Sequence, residues 1–363
     1  MHAAFLVIQM VARSSRTAKS AIVAFSFLVL LLLSRGQAVG DDSREAIHRK
    51  ILAGDELILN PRDPVDTRTI DAKWIKESVA NHVRVAIHYA VIRGSLDMPD
   101  ETFEQRFELH DCVVRESADF SYAIFKRQFT ADRVTFLAGV SFRGTKFDQD
   151  AWFGRSRFES GDVEFQYAHF LGDFAALDAE FVSKSGSGMA NFSHVRFDGE
   201  ANFGHSLFGI IAYFIGAQFG GQTYFDGTRF QSQESQTDFS RAHFSDVVSF
   251  GTTPFNKQRD STFASKASFV ATQFDSTAWF DGVTFENEVQ FSTAKFGAAS
   301  SFRGTTFKSE CDFSLVWFGS DSLYMGARFW VEPSSIRLTL PALQPFPPTN
   351  SCLLRFLVEK SNS

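Results

Sequence analysis

The sequence has few cysteines for its length. Only 3 of its 363 residues are Cys, namely Cys112, Cys311 and Cys352. Three widely separated thiols cannot form a disulfide framework, and metal binding would require clustered ligands, of which no cluster is visible. We therefore expect neither a disulfide-rich fold nor a metal or cofactor site.

Tryptophan and tyrosine are also scarce, with 5 Trp and 6 Tyr against 43 Phe. A mixed globular core would spread its apolar residues over Leu, Ile and Val. The excess of one residue type instead indicates one structural position that recurs many times.

Basic charge is scarce outside the N-terminus. The formal net charge is -6, and residues 1–40 contain four basic residues and no acidic one, so subtracting those four positive charges leaves -10 on the remainder. An acidic body argues against a nucleic-acid partner, which would require a basic surface to meet the phosphates.

Long hydrophobic runs are limited to one segment near the N-terminus. Arg13, Arg16 and Lys19 precede the apolar run Ala21–Leu33. A basic stretch followed by an apolar run of about 13 residues is typical of an export signal and is short for a membrane span. Residues 1–40 are therefore predicted to be a signal peptide.

Small residues follow the apolar run and suit a signal-peptidase site, so the mature chain is predicted to begin near Val39 or Asp41. We then expect an exported protein that is periplasmic, envelope-associated or secreted, without a membrane span in its mature form. The alternative is an N-terminal anchor that is not cleaved.

Phenylalanine recurs at a regular interval. In Val140–Phe158, successive steps of five, six and five residues separate Phe142, Phe147, Phe153 and Phe158. The residue two positions before each of them is small. These small residues are Val140, Thr145, Ala151 and Ser156.

The same interval covers most of the chain, from Ile87 to Phe329, with Cys112 and Cys311 in the small position. Before the phenylalanines become regular, other apolar residues occupy the large position. They are Ile87, Ile92, Met98, Leu109 and Val114. A helix would place large residues three and four apart, and long strands would alternate over five or more residues before a turn.

The interval therefore predicts short strands joined by frequent corners. Two inward positions separated by one outward position are typical of a strand. Glycine is frequent where the corners should fall, at Gly144, Gly154, Gly172, Gly199, Gly282 and Gly304. Four sides would close a coil of about 22 residues, and about ten or eleven coils would stack into a rod roughly 50 Å long.

A small residue, an outward residue and then Phe, as in Ala201-Asn202-Phe203, resembles the repeat of the pentapeptide-repeat family. The resemblance covers about two thirds of the chain and recurs dozens of times. It implies an all-β fold, a right-handed quadrilateral β-helix. The sequence departs from the family in using Phe where Leu is commoner and in having six residues in alternate units.

The repeats have distinct flanking segments. Residues 41–84 are predicted to be an N-terminal segment in which Asp71–Val83 forms a capping helix with Asp71 as its N-cap. Residues 85–330 are predicted to be the β-helix, and 331–363 an irregular, proline-rich tail. The interval is interrupted by three polar loops, at residues 182–189, 231–236 and 256–262, which bulge from the walls and are candidate binding loops.

Candidate chemistry is sparse. His169 and His243 precede a Phe and are expected to be exposed, without a partner at ligand spacing. Acidic residues recur directly after Phe and are expected to point outward as solvated charges. They are Asp148, Glu159, Asp198, Asp226, Asp275, Asp281 and Glu286. We predict no catalytic, cofactor-binding or metal residues.

These features favour a non-catalytic, exported scaffold or binding protein that contacts another protein or a cell-envelope component through its walls and loops, with end-to-end dimerisation as a further possibility. A carbohydrate-binding or carbohydrate-active β-helix is the first alternative. It would require an aromatic-lined acidic groove on one wall, including Trp152, Trp279 or Trp317. Resemblance to the family implies a second alternative, a DNA-mimicking gyrase inhibitor.

Overall fold

The structure is a computed structural model, and it describes residues 41–159, 161–232, 236–251, 260–319, 328–329 and 336–337. The predicted signal peptide, most of the predicted tail including Cys352, and parts of the loops at 231–236 and 256–262 lie outside the described residues.

The chain forms four parallel β-sheets, which we call walls 1 to 4 in the order in which the chain visits them. Wall 1 has eleven strands: Leu57–Ile58, Val85–His88, Phe107–His110, Phe129–Asp132, Ala151–Trp152, Phe174–Ala175, Ala201–Asn202, Thr223–Tyr224, Val248–Ser249, Ala278–Trp279 and Ser300–Ser301. Wall 2 has twelve: Thr69–Asp71, Val91–Arg93, Val113–Val114, Thr135–Phe136, Arg157–Phe158, Glu180–Phe181, Leu207–Phe208, Arg229–Phe230, Thr262–Phe263, Thr284–Phe285, Thr306–Phe307 and Arg328–Phe329.

Walls 3 and 4 have ten strands each. Those of wall 3 are Ala118–Asp119, Val140–Ser141, Val163–Glu164, Met189–Asn191, Ile211–Tyr213, Thr237–Asp238, Ala267–Ser268, Val289–Gln290, Cys311–Asp312 and Ile336–Arg337. Those of wall 4 are Thr102–Phe103, Ile124–Phe125, Lys146–Phe147, His169–Phe170, Arg196–Phe197, Gln218–Phe219, His243–Phe244, Gln273–Phe274, Lys295–Phe296 and Trp317–Phe318.

Each strand pairs with the strand one coil later on the same wall. On wall 1, Phe107 lies beside Phe129 and Phe129 beside Ala151, steps of 22 residues. The step lengthens where the sequence predicted an insertion, as between Phe174 and Ala201. The predicted four-sided β-solenoid is confirmed, and its first strands on walls 1 and 2 precede residue 85.

Columns of phenylalanine fill the interior. Within a column the rings stack in parallel, as for Phe192 on Phe214, with centroids 5.0 Å apart and planes at 6°. Neighbouring columns meet edge to face, as for Phe192 and Phe203, at 5.3 Å and 90°. Both arrangements suit the ring quadrupole, and the rings fill the axis of the solenoid.

The small position does more than leave space for the rings. At several small positions that hold Thr or Ser, the buried hydroxyl donates to the carbonyl of a residue in the large position one coil earlier. Thr145 Oγ1 lies 2.6 Å from the carbonyl oxygen of Phe120, and Thr228 Oγ1 lies 2.9 Å from that of Phe203. Hydroxyls are therefore tolerated in an apolar core because each finds an acceptor there.

The corners of the five-residue units are closed by tight turns. The amide of Ser156, for example, donates to the carbonyl of Phe153 at 3.2 Å, and Arg155 between them has a φ of 55°. Glycine was expected at these left-handed positions. Gly144, Gly282 and Gly304 do have a positive φ, whereas Gly154, Gly172 and Gly199 do not. Most of the left-handed positions, however, hold larger residues. Examples are Tyr122, Arg155, Tyr167, His194 and His205.

Two α-helices precede the regular coils, α1 at Asp41–Ala53 and α2 at Ala72–Ala80, with a short 3₁₀ helix at Val65–Arg68. The predicted N-cap is confirmed, since the Asp71 side chain accepts from the amide of Lys73 at 3.1 Å. α2 contacts the first strand of wall 2, Thr69–Asp71, and the second strand of wall 1, Val85–His88. Its predicted apolar face is buried, and it ends before Val83. The sequence analysis missed α1, because that helix contains few apolar residues.

Removing one ring from the interior tests the packing. Phe203 is fully buried between Phe225 of its own column and Phe192 of the next. We expect Phe203→Ala to lower the free energy of unfolding by about 3–5 kcal/mol and Phe203→Leu by about 1–2 kcal/mol, because the alanine leaves the larger cavity. Guanidinium unfolding monitored by circular dichroism measures both. Equal losses of unfolding free energy in the two variants would contradict the conclusion that the stacked rings are closely packed.

A pair of glycines separates backbone strain from side-chain clash. Gly144 has φ +65°, and an added Cβ would lie 2.6 Å from Tyr122 Cδ1. Gly304 has φ +70°, and its Cβ would meet nothing closer than 4.0 Å. Both Gly→Ala substitutions should lower the free energy of unfolding by about 1 kcal/mol because of backbone strain. Gly144→Ala should lower it by about 1 kcal/mol more because of the clash with Tyr122.

Thermal and denaturant unfolding measure this difference, and Tyr122→Ala in the Gly144→Ala background serves as the control. That second change should remove the extra loss, because it removes the ring that the new methyl group meets. If Gly304→Ala proved as costly as Gly144→Ala, the contact with Tyr122 would have no energetic role.

Candidate functional site

The seven acidic residues that follow Phe do not form one column. Asp226 and Asp281 lie on wall 1, Glu159 and Glu286 on wall 2, and the others on wall 4. They are also not simply solvated. Asp148 Oδ1 lies 2.7 Å from Lys146 Nζ, and Glu286 Oε1 lies 3.0 Å from Lys308 Nζ.

Asp226 differs most from the expectation, because it is only 8% exposed and accepts a hydrogen bond from the hydroxyl of Ser249. The prediction that all seven carboxylates point outward as solvated charges is therefore wrong for Asp226. The small side chain at Ser249 leaves room for Asp226 to fold back onto the wall.

The two histidines singled out in the sequence lie on wall 4, and each is partly buried. Contrary to expectation, both have a carboxylate partner one coil further along. His169 Nε2 lies 2.8 Å from Asp198 Oδ2, and His243 Nε2 lies 2.6 Å from Asp275 Oδ2. The partners are 29 and 32 residues away in sequence, so only the coil register brings them together.

Cys112 and Cys311 are buried, unpaired thiols in the small position, as predicted. Burial raises the pKa of each to about 12. They remain protonated at neutral pH and fill space in the core.

Wall 1 carries an open depression of about 370 Å³ beside Trp152. It spans three successive coils, with Thr130 lying between Glu108 and Trp152 in register. Trp152 is 45% exposed. The residues that line the depression are Glu108, His110, Gln128, Thr130, Asp132, Trp152, Gly154 and Arg155.

The carboxylates of this depression are held by guanidinium groups. Asp132 Oδ1 lies 3.1 Å from Arg155 Nη2, and Asp132 Oδ2 lies 2.6 Å from Arg133 Nη1. Glu108 Oε2 accepts from Arg84 Nε at 2.9 Å. The depression therefore has oxygen acceptors and guanidinium donors of roughly balanced charge, held in fixed positions beside an indole ring.

His110 stacks on His88 of the preceding coil, with ring centroids 4.6 Å apart and planes at 9°. Burial lowers the pKa of His110, and the neighbouring His88 lowers it further, whereas Asp132 raises it. The imidazole is thus neutral at neutral pH and offers one donor and one acceptor to the depression.

The three tryptophans named as possible groove residues divide between two walls. Trp152 and Trp279 both point outward from wall 1, and Trp317 points outward from wall 4. The sequence analysis missed Glu108, His110 and Tyr224. Counting the repeat units along the sequence could have placed these residues on wall 1, because every fourth unit lies on the same wall.

The predicted loop at 182–189 is held by its own serines, since Ser183 Oγ and Ser185 Oγ lie 2.8 Å apart. Lys184 Nζ also reaches Glu159 Oε2 at 2.7 Å. The loop therefore lies along wall 2, and its binding role remains a prediction.

A family model described as pentapeptide repeats (9 copies) matches residues 187–229. The coils on either side continue the same register of small residue, outward residue and Phe on four walls. The chain is a pentapeptide-repeat protein. Neither a curated protein nor a solved structure matches it in the corresponding searches.

Two further observations concern the described part of this pentapeptide-repeat protein. Among its described residues, no group of three or more His, Cys, Asp or Glu is arranged to hold a metal ion. Neither α1 nor α2 is long and apolar enough to cross a membrane, and no other helix of the described ranges is.

The balance of charges around His110 can be tested directly. Replacing His88 with Gln removes a positive neighbour, so the pKa of His110 should rise toward its ordinary value of 6.5. Asp132→Asn removes a negative neighbour, so the same pKa should fall. A pH titration of the imidazole signals by NMR measures both shifts. Shifts of equal sign would show that the two groups do not act through their charges.

Proposed function

We propose that this protein is a non-catalytic glycan-binding solenoid, and that the depression on wall 1 is its binding site. The observation that supports this best is the exposed indole of Trp152 beside fixed polar groups on the same three coils. The carbohydrate alternative required an aromatic side chain and carboxylates on one wall, and the depression has both, although guanidinium groups balance the charge of its carboxylates.

The chemistry of the depression suits a sugar ring. A pyranose has an apolar face of C–H groups, which packs on an aromatic ring, and hydroxyl groups at its edge, which need both donors and acceptors. Trp152 supplies the ring, Asp132 and Gln128 supply acceptors, and Arg155 supplies donors. Gly154 also lines the depression, and a Cβ at this position would lie 3.4 Å from Asp132 Oδ1.

The arrangement favours binding over hydrolysis. Glycosidases use two carboxyl groups, one of which must carry a proton as the general acid. Here the carboxylates of Asp132 and Glu108 are each hydrogen-bonded to guanidinium groups, so both are already engaged by partners within the protein. We therefore propose that the protein retains its ligand unchanged.

A second candidate function is a scaffold for another protein, as first expected from the sequence. Its support is the exposure of apolar side chains on the outer surface, such as Leu171, Leu177 and Leu315, which are 38%, 40% and 51% exposed. The gyrase-inhibitor alternative has less support, because cationic partners neutralise several of the carboxylates that would have to imitate phosphates.

The proposed site of action is outside the cytoplasm, in the periplasm, the envelope or the medium. The support is the basic stretch and apolar run of residues 1–40. An exported protein would meet envelope or environmental polysaccharides, which suits the proposed ligand class.

Affinity electrophoresis of the purified protein through gels that contain neutral or acidic polysaccharides tests the proposal. We expect retardation by at least one polysaccharide, without release of reducing ends. Trp152→Ala should lower the affinity about tenfold, since a central aromatic side chain is lost.

Trp317→Ala is the matched control, because Trp317 is 50% exposed but lies on wall 4. Its retardation should equal that of the unmodified protein. A second variant, Gly154→Leu, fills the depression without removing the indole and should also weaken binding. Gly139→Leu, at an exposed glycine outside the depression, is its control. Normal migration in every gel would overturn the proposal.

A further inference from the structure

We propose that wall 1 binds an extended, β-linked neutral glycan laid along the solenoid axis, contacting Trp152, Tyr224 and Trp279 in turn. This inference rests on the proposed function and names its ligand class and binding direction. It extends the site from one depression to a track over six coils.

The register of wall 1 places these three aromatic residues in one outward column. Trp152 is followed in register by Ala175, Asn202 and then Tyr224. Tyr224 is followed by Ser249 and then Trp279. The residues between the aromatic side chains are small or polar, so the large rings are separated by shorter side chains along the wall.

The spacing of the column suits a sugar chain. Successive coils are about 4.8 Å apart, so three steps separate Trp152 from Tyr224 by about 14 Å and two steps separate Tyr224 from Trp279 by about 10 Å. An extended β-linked glycan advances by a similar distance per sugar. One sugar per coil therefore keeps the chain in phase with the protein over the whole track.

The outward positions beside the column differ from coil to coil. Gly154 lies beside Trp152, whereas Leu177, Asp226 and Asp281 lie beside Ala175, Tyr224 and Trp279. Gly204 and Gly251, beside Asn202 and Ser249, are buried against neighbouring coils. The proposed contacts of the sugar chain are therefore with the column itself.

Polar groups along the track suit an uncharged, hydroxylated polymer. The side-chain oxygen of Asn202 accepts from the Gly204 amide at 3.0 Å, and its amide group donates to Glu200 Oε1 at 3.4 Å. Tyr224 donates its hydroxyl to Gln222. Asp281, in the coil of Trp279, is an additional carboxylate on this wall and disfavours a polyanionic chain.

The track predicts that affinity rises with ligand length. We expect isothermal titration calorimetry of the full chain with cello- and chito-oligosaccharides to show at least one series in which the hexaose binds at least about tenfold more tightly than the disaccharide. Five coil steps, or about 24 Å, separate Trp152 from Trp279, and a disaccharide cannot span them.

Variants at the far end of the track provide the decisive comparison. Tyr224→Ala and Trp279→Ala should each lower the affinity for the hexaose about tenfold and change that for the disaccharide less, because the depression at Trp152 is intact. Trp317→Ala should change neither affinity. Thermal unfolding verifies that each variant folds, and Trp279→Phe, which keeps a ring, should retain most of the affinity.

The possible failures are distinguishable. Glycan binding that depends on Trp152 but is equal for disaccharide and hexaose, or is unaffected by Tyr224→Ala and Trp279→Ala, would overturn the track and leave the proposed function standing. Tight binding of acidic polysaccharides alone would overturn the neutral ligand class. An absence of binding to every glycan would overturn both proposals.

Discussion

The parallel backbone ladder between successive coils is the constraint on which the rest of the structure depends. It places every residue directly above its counterpart one coil earlier, so a side chain type that fits once must fit repeatedly. Inside the solenoid, this requirement selects rings that stack well, as Phe192 and Phe214 do. Outside, it lines up side chains from residues far apart in sequence, and it pairs His169 with Asp198.

The interior could be predicted from the sequence because its signal is repeated dozens of times. The large and small positions each accept few residue types, and the corner interval fixes four sides. The walls were harder to predict, because their outward positions accept almost any side chain. Insertions such as the one before Met189 also shift the count, so the common wall of Trp152 and Trp279 required the strand register.

At the corners, the fold overrides the backbone preferences of individual residues. Glycine is the expected residue at positive φ, yet Tyr122, Tyr167 and His194 adopt it. Tyr167 and His194 stack with centroids 5.2 Å apart, and the Arg143 guanidinium lies 5.6 Å from the Tyr167 ring centroid. These contacts between coils offset part of the backbone cost, and single-residue propensities cannot anticipate them.

The 22-residue coil also has an evolutionary consequence. Duplicating or deleting one whole coil would change the length of every wall by one step and leave the inward phenylalanines in phase. A partial coil would rotate all later residues onto the wrong walls, unless a corner bulge absorbed the excess, as happens between Phe174 and Ala201. Lineages can therefore adjust the reach of such a surface in discrete increments, without redesigning its chemistry.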